Sequence, residues 1–331
     1  MKRILYLAAV ALLLAACTQE TNPGGTNDVV ATAIELNKHE LTLKKGANET
    51  LTVTFTPSDV ADNSLVWVSS NKSVAEVTDG VVVGVDAGST EIIVKHGDLT
   101  DRCAVTVTAV PVGAVDLGLS VYWATCNLCE SGFVSTPEEY GDYFAWGELE
   151  PHYVAGHSQD HPCNDWREID GKTMTGYDWV SYKFRISGDS SDNVKFSKYN
   201  TSSSYGTVDN KTTLEPEDDV AHVKLGGKWR MPTDDEWTEL INQCTWTWTT
   251  ENGVNGRKVT SPSGNSIFLP ATGYWCYDEH FNGGIWGEYW SSSLKTDSPC
   301  AAQDLYFYSE KVRIGHTNFR FFGLSVRPVS E

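Results

Sequence analysis

Apolar and polar residues alternate over much of the first third of the chain. Between His39 and Pro57, Leu41 and Leu43 and then Leu51, Val53 and Phe55 fall at a spacing of two, with Lys-Lys-Gly-Ala-Asn between the groups. Successive side chains of a strand point to opposite faces, so the pattern predicts short strands with one buried face. The alternation resumes from Val66 and runs to Val107, broken at Asp79-Gly80 and Ala87-Gly88, which read as turns. Strands at this spacing across residues 33–109 predict an all-β sandwich.

Beyond a short linker, Val110-Pro-Val-Gly113, the pattern changes. One stretch carries helix signals. Thr233 is a good N-cap and Glu236 stands three residues on, which makes a capping box. Asp234 and Asp235 fall in the first turn, where the helix dipole favours negative charge. Trp237, Leu240, Ile241 and Cys244 follow on one face. The run of three acids is therefore explained by helix initiation, without metal or acid–base work. Strand patterns surround this helix: Thr245–Thr250 alternates Trp and Thr, placing Trp246 and Trp248 on one face, and residues 251–256 read as a turn with two Asn-Gly pairs. Residues 114–331 are expected to form one α+β domain with more sheet than helix. It holds eleven of the twelve tryptophans.

Charge and the N-terminus narrow the function. The chain of 331 residues has a formal net charge of −19. Nucleic-acid binding needs Lys and Arg to displace counterions, so no nucleic-acid partner is expected. Lys2 and Arg3 precede an apolar run from Ile4 to Leu14, the length of a signal-peptide core and too short to span a bilayer. Leu14-Ala-Ala-Cys17 resembles the lipobox of bacterial lipoproteins. That resemblance implies cleavage after residue 16, acylation of Cys17, and a membrane partner reached through the N-terminal lipid. Residues 17–32, polar and containing Pro23, Gly24 and Gly25, then form a flexible tether. Thr18 follows the cysteine in place of an inner-membrane-retaining aspartate, which favours an outer-membrane lipoprotein exposed at the cell surface.

Two further resemblances cover the remainder. Trp67, Ser70-Asn71, Val74-Ala75, Val77, Gly80 to Val85 and Ala87 to Val94 resemble the bacterial Ig-like group 2 domain, found in surface proteins as a spacer or adhesive module. In the second domain, Ala114–Leu128, Glu138–Glu148, Gly227–Thr233 with Glu236-Trp237, Tyr289–Ser293 and Gly323–Val329 resemble, in order, the Fibrobacter-type major paralogous domain. That family is similar to the C-type-lectin-like fold. The Arg-Met-Pro-Thr segment is also similar to formylglycine-generating enzymes, which depend on a reactive cysteine pair; Cys276 and Cys300 are the nearby candidates. Shared fold does not transfer function.

The candidate chemistry lies in loops of the second domain. His152, His157, His161 and Cys163 cluster within twelve residues and are zinc-capable, against the alternative of a solvated histidine-rich loop. Cys126 and Cys129 form a C-x-x-C without the βαβ setting of thioredoxin chemistry or the second pair of a zinc ribbon. Glu215 to Asp219 is an acidic run of the type that can hold calcium or simply face water. No resident cofactor is expected. The segment 272–289 offers Tyr274, Trp275, Tyr277, Asp278, Glu279, Phe281 and Trp286 as ligand contacts, because aromatic rings on a loop suit sugars and proteins. The competing view is that Trp275 and Trp286 fill the core. The expected function is a lipid-anchored, non-catalytic surface protein binding a glycan or a protein. The alternatives are a formylglycine-generating-type enzyme and a purely structural surface protein.

Overall fold

The computed structural model describes residues 29–153 and 165–331. They form two compact units that divide between Ala109 and Val110. The chain is rich in strand, and among the described residues no helix is long and apolar enough to cross a membrane.

The first unit has nine strands: β1 (Ala33–Leu36), β2 (Glu40–Lys44), β3 (Asn48–Thr50), β4 (Val53–Thr56), β5 (Val66–Ser69), β6 (Ala75–Thr78), β7 (Val81–Gly84), β8 (Gly88–His96) and β9 (Leu99–Thr108). They assemble as β2-β9-β8-β5, β3-β7-β6 and the pair β1-β4. The expected alternation holds: Leu41 and Leu43 of β2 are buried while their neighbours face out. Leu36, Leu51, Val82, Ile92, Val94, Val105 and Val107 complete one core, against which Trp67 packs half-buried. The turn at Asp79-Gly80 joins β6 to β7 with both residues at positive φ, 50° and 84°. The tight turn leaves no room for a side chain at Gly80: a Cβ there would lie 2.5 Å from the Leu51 carbonyl oxygen and 3.1 Å from the Trp67 ring.

The second unit is built around two apolar clusters. One gathers Trp146, Tyr153, Tyr177, Trp275, Trp290 and their neighbours; the other gathers Trp123, Trp237, Leu240, Leu269, Tyr289 and Phe307. Its sheets include a short four-stranded one (Ala114–Val115, Tyr122–Ala124, Val329–Ser330, Trp229–Arg230) and a three-stranded one, β10 (Gly287–Leu294), β11 (Ala301–Phe307) and β12 (Val312–Phe319). The helix Asp234–Gln243 begins at Thr233 with a complete capping box, and Arg230 clasps Glu236 through two hydrogen bonds of 2.8 and 2.6 Å. Its apolar face buries Trp237 and Leu240. Trp246 and Trp248 share a face of the hairpin Thr245–Glu251/Val254–Thr260, as the alternation predicts. Only Asn252-Gly253 makes that turn; Asn255 and Gly256 already lie in the returning strand, because a hairpin needs one two-residue turn and not two.

Two fully buried arginines tie the C-terminal segment down. Arg327 donates to Asn127 Oδ1 and to the carbonyls of Ala124, Thr125 and Phe268, at 2.8–3.1 Å. Arg320 donates to the Tyr182 hydroxyl and to the carbonyls of Tyr199, Pro299 and Lys198, with its guanidinium 4.3 Å from the Phe196 ring centroid. Each charge exchanges water for oriented dipoles and ring faces.

The Gly80→Ala variant is expected to lose roughly 1–3 kcal/mol from the first unit, since a side chain at that φ must also push aside backbone. Hydrogen exchange of the β6 and β7 amides should accelerate accordingly, with the second unit's amides unchanged.

Candidate ligand pocket

The sheet β10–β12 places chemistry on one face by register. Glu288 pairs with Tyr306, and Asp304 pairs with Trp290 on one side and His316 on the other. Residues directly opposite across strands share a face, so Glu288, Asp304, Tyr306 and His316 stand together. The intervening residues Tyr289, Leu305 and Phe307 point the other way, into the core with Trp237. Strict alternation would put Arg313 and His316, three residues apart, on opposite faces. The register shifts between them: residues 314 and 315 both oppose Leu305, with Gly315 at φ 67°. This β-bulge turns Arg313 and His316 to the same side.

The result is a cavity of about 460 Å³ with an aromatic wall and a polar floor. Tyr306 is the centre of the wall. Its ring meets Trp286 edge-on at 5.4 Å, stacks on His316 at 4.7 Å and lies 5.8 Å from Tyr308. Tyr274 closes another side, backed by stacked Phe281 and Phe322 rings, both at 5.4 Å. Glu288 and Asn318 form the floor, and Asp304 lies beneath it, 1% exposed. The Asn318 amide donates to both acids, at 2.5 Å to Glu288 Oε2 and 3.0 Å to Asp304 Oδ2, while His316 Nδ1 lies 3.0 Å from both Asp304 oxygens. Burial, reinforced by the charge of Asp304, pushes the Glu288 carboxyl up to about 8. Burial likewise raises Asp304, against the pull of His316. For His316 burial works downward, but its hydrogen bonds to Asp304 outweigh it and raise the imidazole. These groups are polar, close together and open to a cavity, which suits recognition of a hydroxylated ligand.

The residues expected from segment 272–289 separate. Tyr274 and Trp286 line the cavity, and Phe281 supports Tyr274 from behind. Trp275 is a correction: it is fully buried in the core, because neighbours along the strand Tyr274–Cys276 face opposite ways. Tyr277, Asp278 and Glu279 are exposed, Tyr277 by 59%, at the tip of the hairpin with Glu279–Phe281 and outside this cavity. Asp304, Tyr306, Tyr308 and His316 escaped sequence reasoning, although Asp-x-Tyr-x-Tyr at 304–308 is itself a period-two signal. A second cavity, about 470 Å³, lies beside Glu148, Lys172, Lys183 and Arg185; among the described residues that line it, Tyr182 alone carries a ring.

The other sequence candidates have ordinary partners. His152 is corrected as a metal ligand: it is buried, its Nε2 lies 2.6 Å from Glu148 Oε2, its Nδ1 lies 2.8 Å from the Gly176 carbonyl, and its ring stacks on Tyr177. Both nitrogens already have protein partners, so holding a metal would break one of these contacts. His157, His161 and Cys163, like Cys17, lie outside the described residues. The acidic run at 215–219 is occupied by lysine: Lys198 Nζ lies 2.5 Å from Glu215, 3.2 Å from Glu217 and 2.5 Å from Asp218. The ammonium thus stands among the carboxylates that the sequence offered to calcium. Cys126 and Cys129 are free thiols.

Comparison with known proteins bears on the first unit. Residues 30–115 match the family model of the bacterial Ig-like domain (group 2). The first unit is a bacterial Ig-like domain. No curated protein matches the chain. Among solved structures, domains 4 and 5 of the S-layer protein SbsC are 24% identical at a TM-score of 0.22, over 24% of this chain and 53% of that one, so the chain spans about half of that relative's length. Domains 5–6 of the same S-layer protein are 14% identical at a TM-score of 0.24, over 90% of this chain and 97% of that one.

The His152 pair generates a pH prediction. Burial alone would lower this imidazole, but the charge and hydrogen bond of Glu148 and the Gly176 carbonyl raise it above the ordinary histidine value of about 6.5. A raised folded value means the contribution is complete below the unfolded pKa and is lost as pH rises through the folded one. Stability of the second unit should therefore fall as pH climbs above about 6.5. In Glu148→Gln, which leaves a buried imidazole without its carboxylate, stability at pH 6 should drop by roughly 3–5 kcal/mol and this part of the slope should vanish. Urea unfolding at a series of pH values reads both.

Proposed function

We propose that this protein is a lipid-anchored, non-catalytic binding protein of the bacterial cell envelope, exposed at the outer surface. The second unit is the recognition head and takes a glycan; the Ig-like domain is a spacer. The observation that carries this reading is the cavity on the β10–β12 face, with four aromatic rings around a floor of acid, amide and imidazole. Sugars present both C–H faces and hydroxyl edges, so they need this pairing of rings with hydrogen-bonding groups. The lipobox at Cys17 supports the anchor. The ordered match of segments from Ala114 to Val329 supports a Fibrobacter-type major paralogous domain with the C-type-lectin-like fold.

The formylglycine-generating reading has less support. It requires reactive thiols, and burial pushes the Cys276 thiol up to about 12, far from the thiolate form at neutral pH. Cys300 is buried as well.

Glycan-array binding by the purified chain tests the head. Trp286→Ala and Tyr306→Ala should each weaken binding about tenfold or more, the scale of one lost stacking contact together with its buried area. Tyr277→Ala, on the exposed hairpin tip, should bind as the wild type does. Equal loss in all three, or binding untouched in the first two, contradicts the assignment. For the anchor, Cys17→Ala should move the protein from the membrane fraction to the soluble fraction, and protease added to intact cells should cleave the wild type.

A further inference from the structure

Two other buried acids of the second unit are compensated more fully than the pair beneath the pocket. Asp218 meets Lys183 and Lys198, and Asp219 accepts from the backbone amides of Ala221, His222 and Met231. Glu288 and Asp304, 2% and 1% exposed, share one imidazole and one carboxamide. Among the described residues no lysine or arginine forms an ion pair with either; Arg313, the other basic group lining the cavity, stands across from Tyr306. The Oε1 oxygen of Glu288 accepts no hydrogen bond from any described residue, and Glu288 borders the cavity. An acid buried to this degree, with one oxygen that accepts from no described residue beside open volume, adds little to the fold and is placed to hold a cation.

The geometry fits one. Glu288, Asp304 and His316 can each offer one ligand atom, all within 4.8 Å of one another. Two donors on one zinc ion, each about 2.1 Å from the metal, stand roughly 3.4 Å apart. Side-chain adjustments on the order of 1 Å close the set. The donor chemistry also selects the ion. Calcium takes six to eight oxygens, more than these side chains supply. Two carboxylates with an imidazole, at three protein ligands and open positions beyond, suit a borderline ion such as zinc.

We propose that Glu288, Asp304 and His316 bind one divalent cation of the zinc class, with the Asn318 carboxamide as a further donor once its oxygen is turned inward, and with open coordination positions facing the aromatic cavity. The cation then deepens the glycan reading: adjacent hydroxyls of a sugar complete the coordination while the rings of Trp286 and Tyr306 hold its apolar face. The metal site itself stands on the three side chains and does not require that reading.

The test is zinc content by mass spectrometry after the purified full chain is equilibrated with zinc and dialysed against metal-free buffer. One zinc per chain is expected, not displaced by a large excess of calcium. Asp304→Asn and His316→Gln should each weaken zinc binding by at least about 10–100-fold. Circular dichroism and melting of the metal-free proteins establish that both variants fold. A triple variant, His157→Ala, His161→Ala and Cys163→Ser, should keep its zinc. Wild type that retains none, folded variants that retain as much as wild type, or loss confined to the triple variant would each overturn the site. Trp286→Ala separates the two readings: it should keep zinc and lose glycan. Zinc absent with glycan binding intact sinks the metal alone, and zinc present with no glycan bound sinks the glycan reading alone.

Discussion

Two residues of β12, 314 and Gly315, stand opposite the single Leu305 of β11, and the second unit's candidate site follows from that mismatch. A regular pairing would send Arg313 and His316 to opposite faces. The bulge lets both look onto Asp304 and Tyr306, while Leu305 and Phe307 stay in the core. Core packing and site geometry are thus set by the same register. A slip of one residue would exchange Tyr306 for Phe307 at the cavity wall and bury the wrong side chains.

That arrangement is held by charges that the fold has taken out of water. Arg320 and Arg327 come from the last turns of chain after β12 and reach carbonyls scattered from Ala124 to Pro299. Each link joins segments distant in sequence, so the guanidiniums act as tie points for loops that form few regular hydrogen bonds of their own. Glu148 and His152 do the same through the Lys183 amide and the Gly176 carbonyl, as do Lys183 and Lys198 at Asp218. The pair beneath the cavity differs, because its acids outnumber its cations and Glu288 Oε1 accepts no hydrogen bond from any described residue.

Much of this was legible where the signal was local. Leu41 and Leu43 announced their strand, and Thr233 with Glu236 announced their helix, because alternation and capping involve residues a few positions apart. The aromatic segment was half legible. Tyr274 and Trp286 were found by composition, but composition does not say which way a ring points, and Trp275 turned inward by the ordinary alternation of a strand. The floor was not legible. Glu288, Asp304 and His316 are brought together by pairing across three strands and by a bulge, neither of which leaves a mark within any one segment. His152 shows the converse: a histidine that looked zinc-capable by its neighbours in sequence is satisfied by Glu148 and by a carbonyl 24 residues away.

The function proposed for the second unit turns on ligand binding at the β10–β12 cavity. The most direct measurement is an NMR titration that follows the indole and tyrosine ring signals of the full chain as the best array-selected oligosaccharide is added. Saturable shifts are expected at Trp286, Tyr306 and Tyr308, with buried Trp275 and the exposed ring of Tyr277 left in place. Shifts that cluster at Tyr277 or on the Ig-like domain, with the cavity rings unmoved, would contradict it.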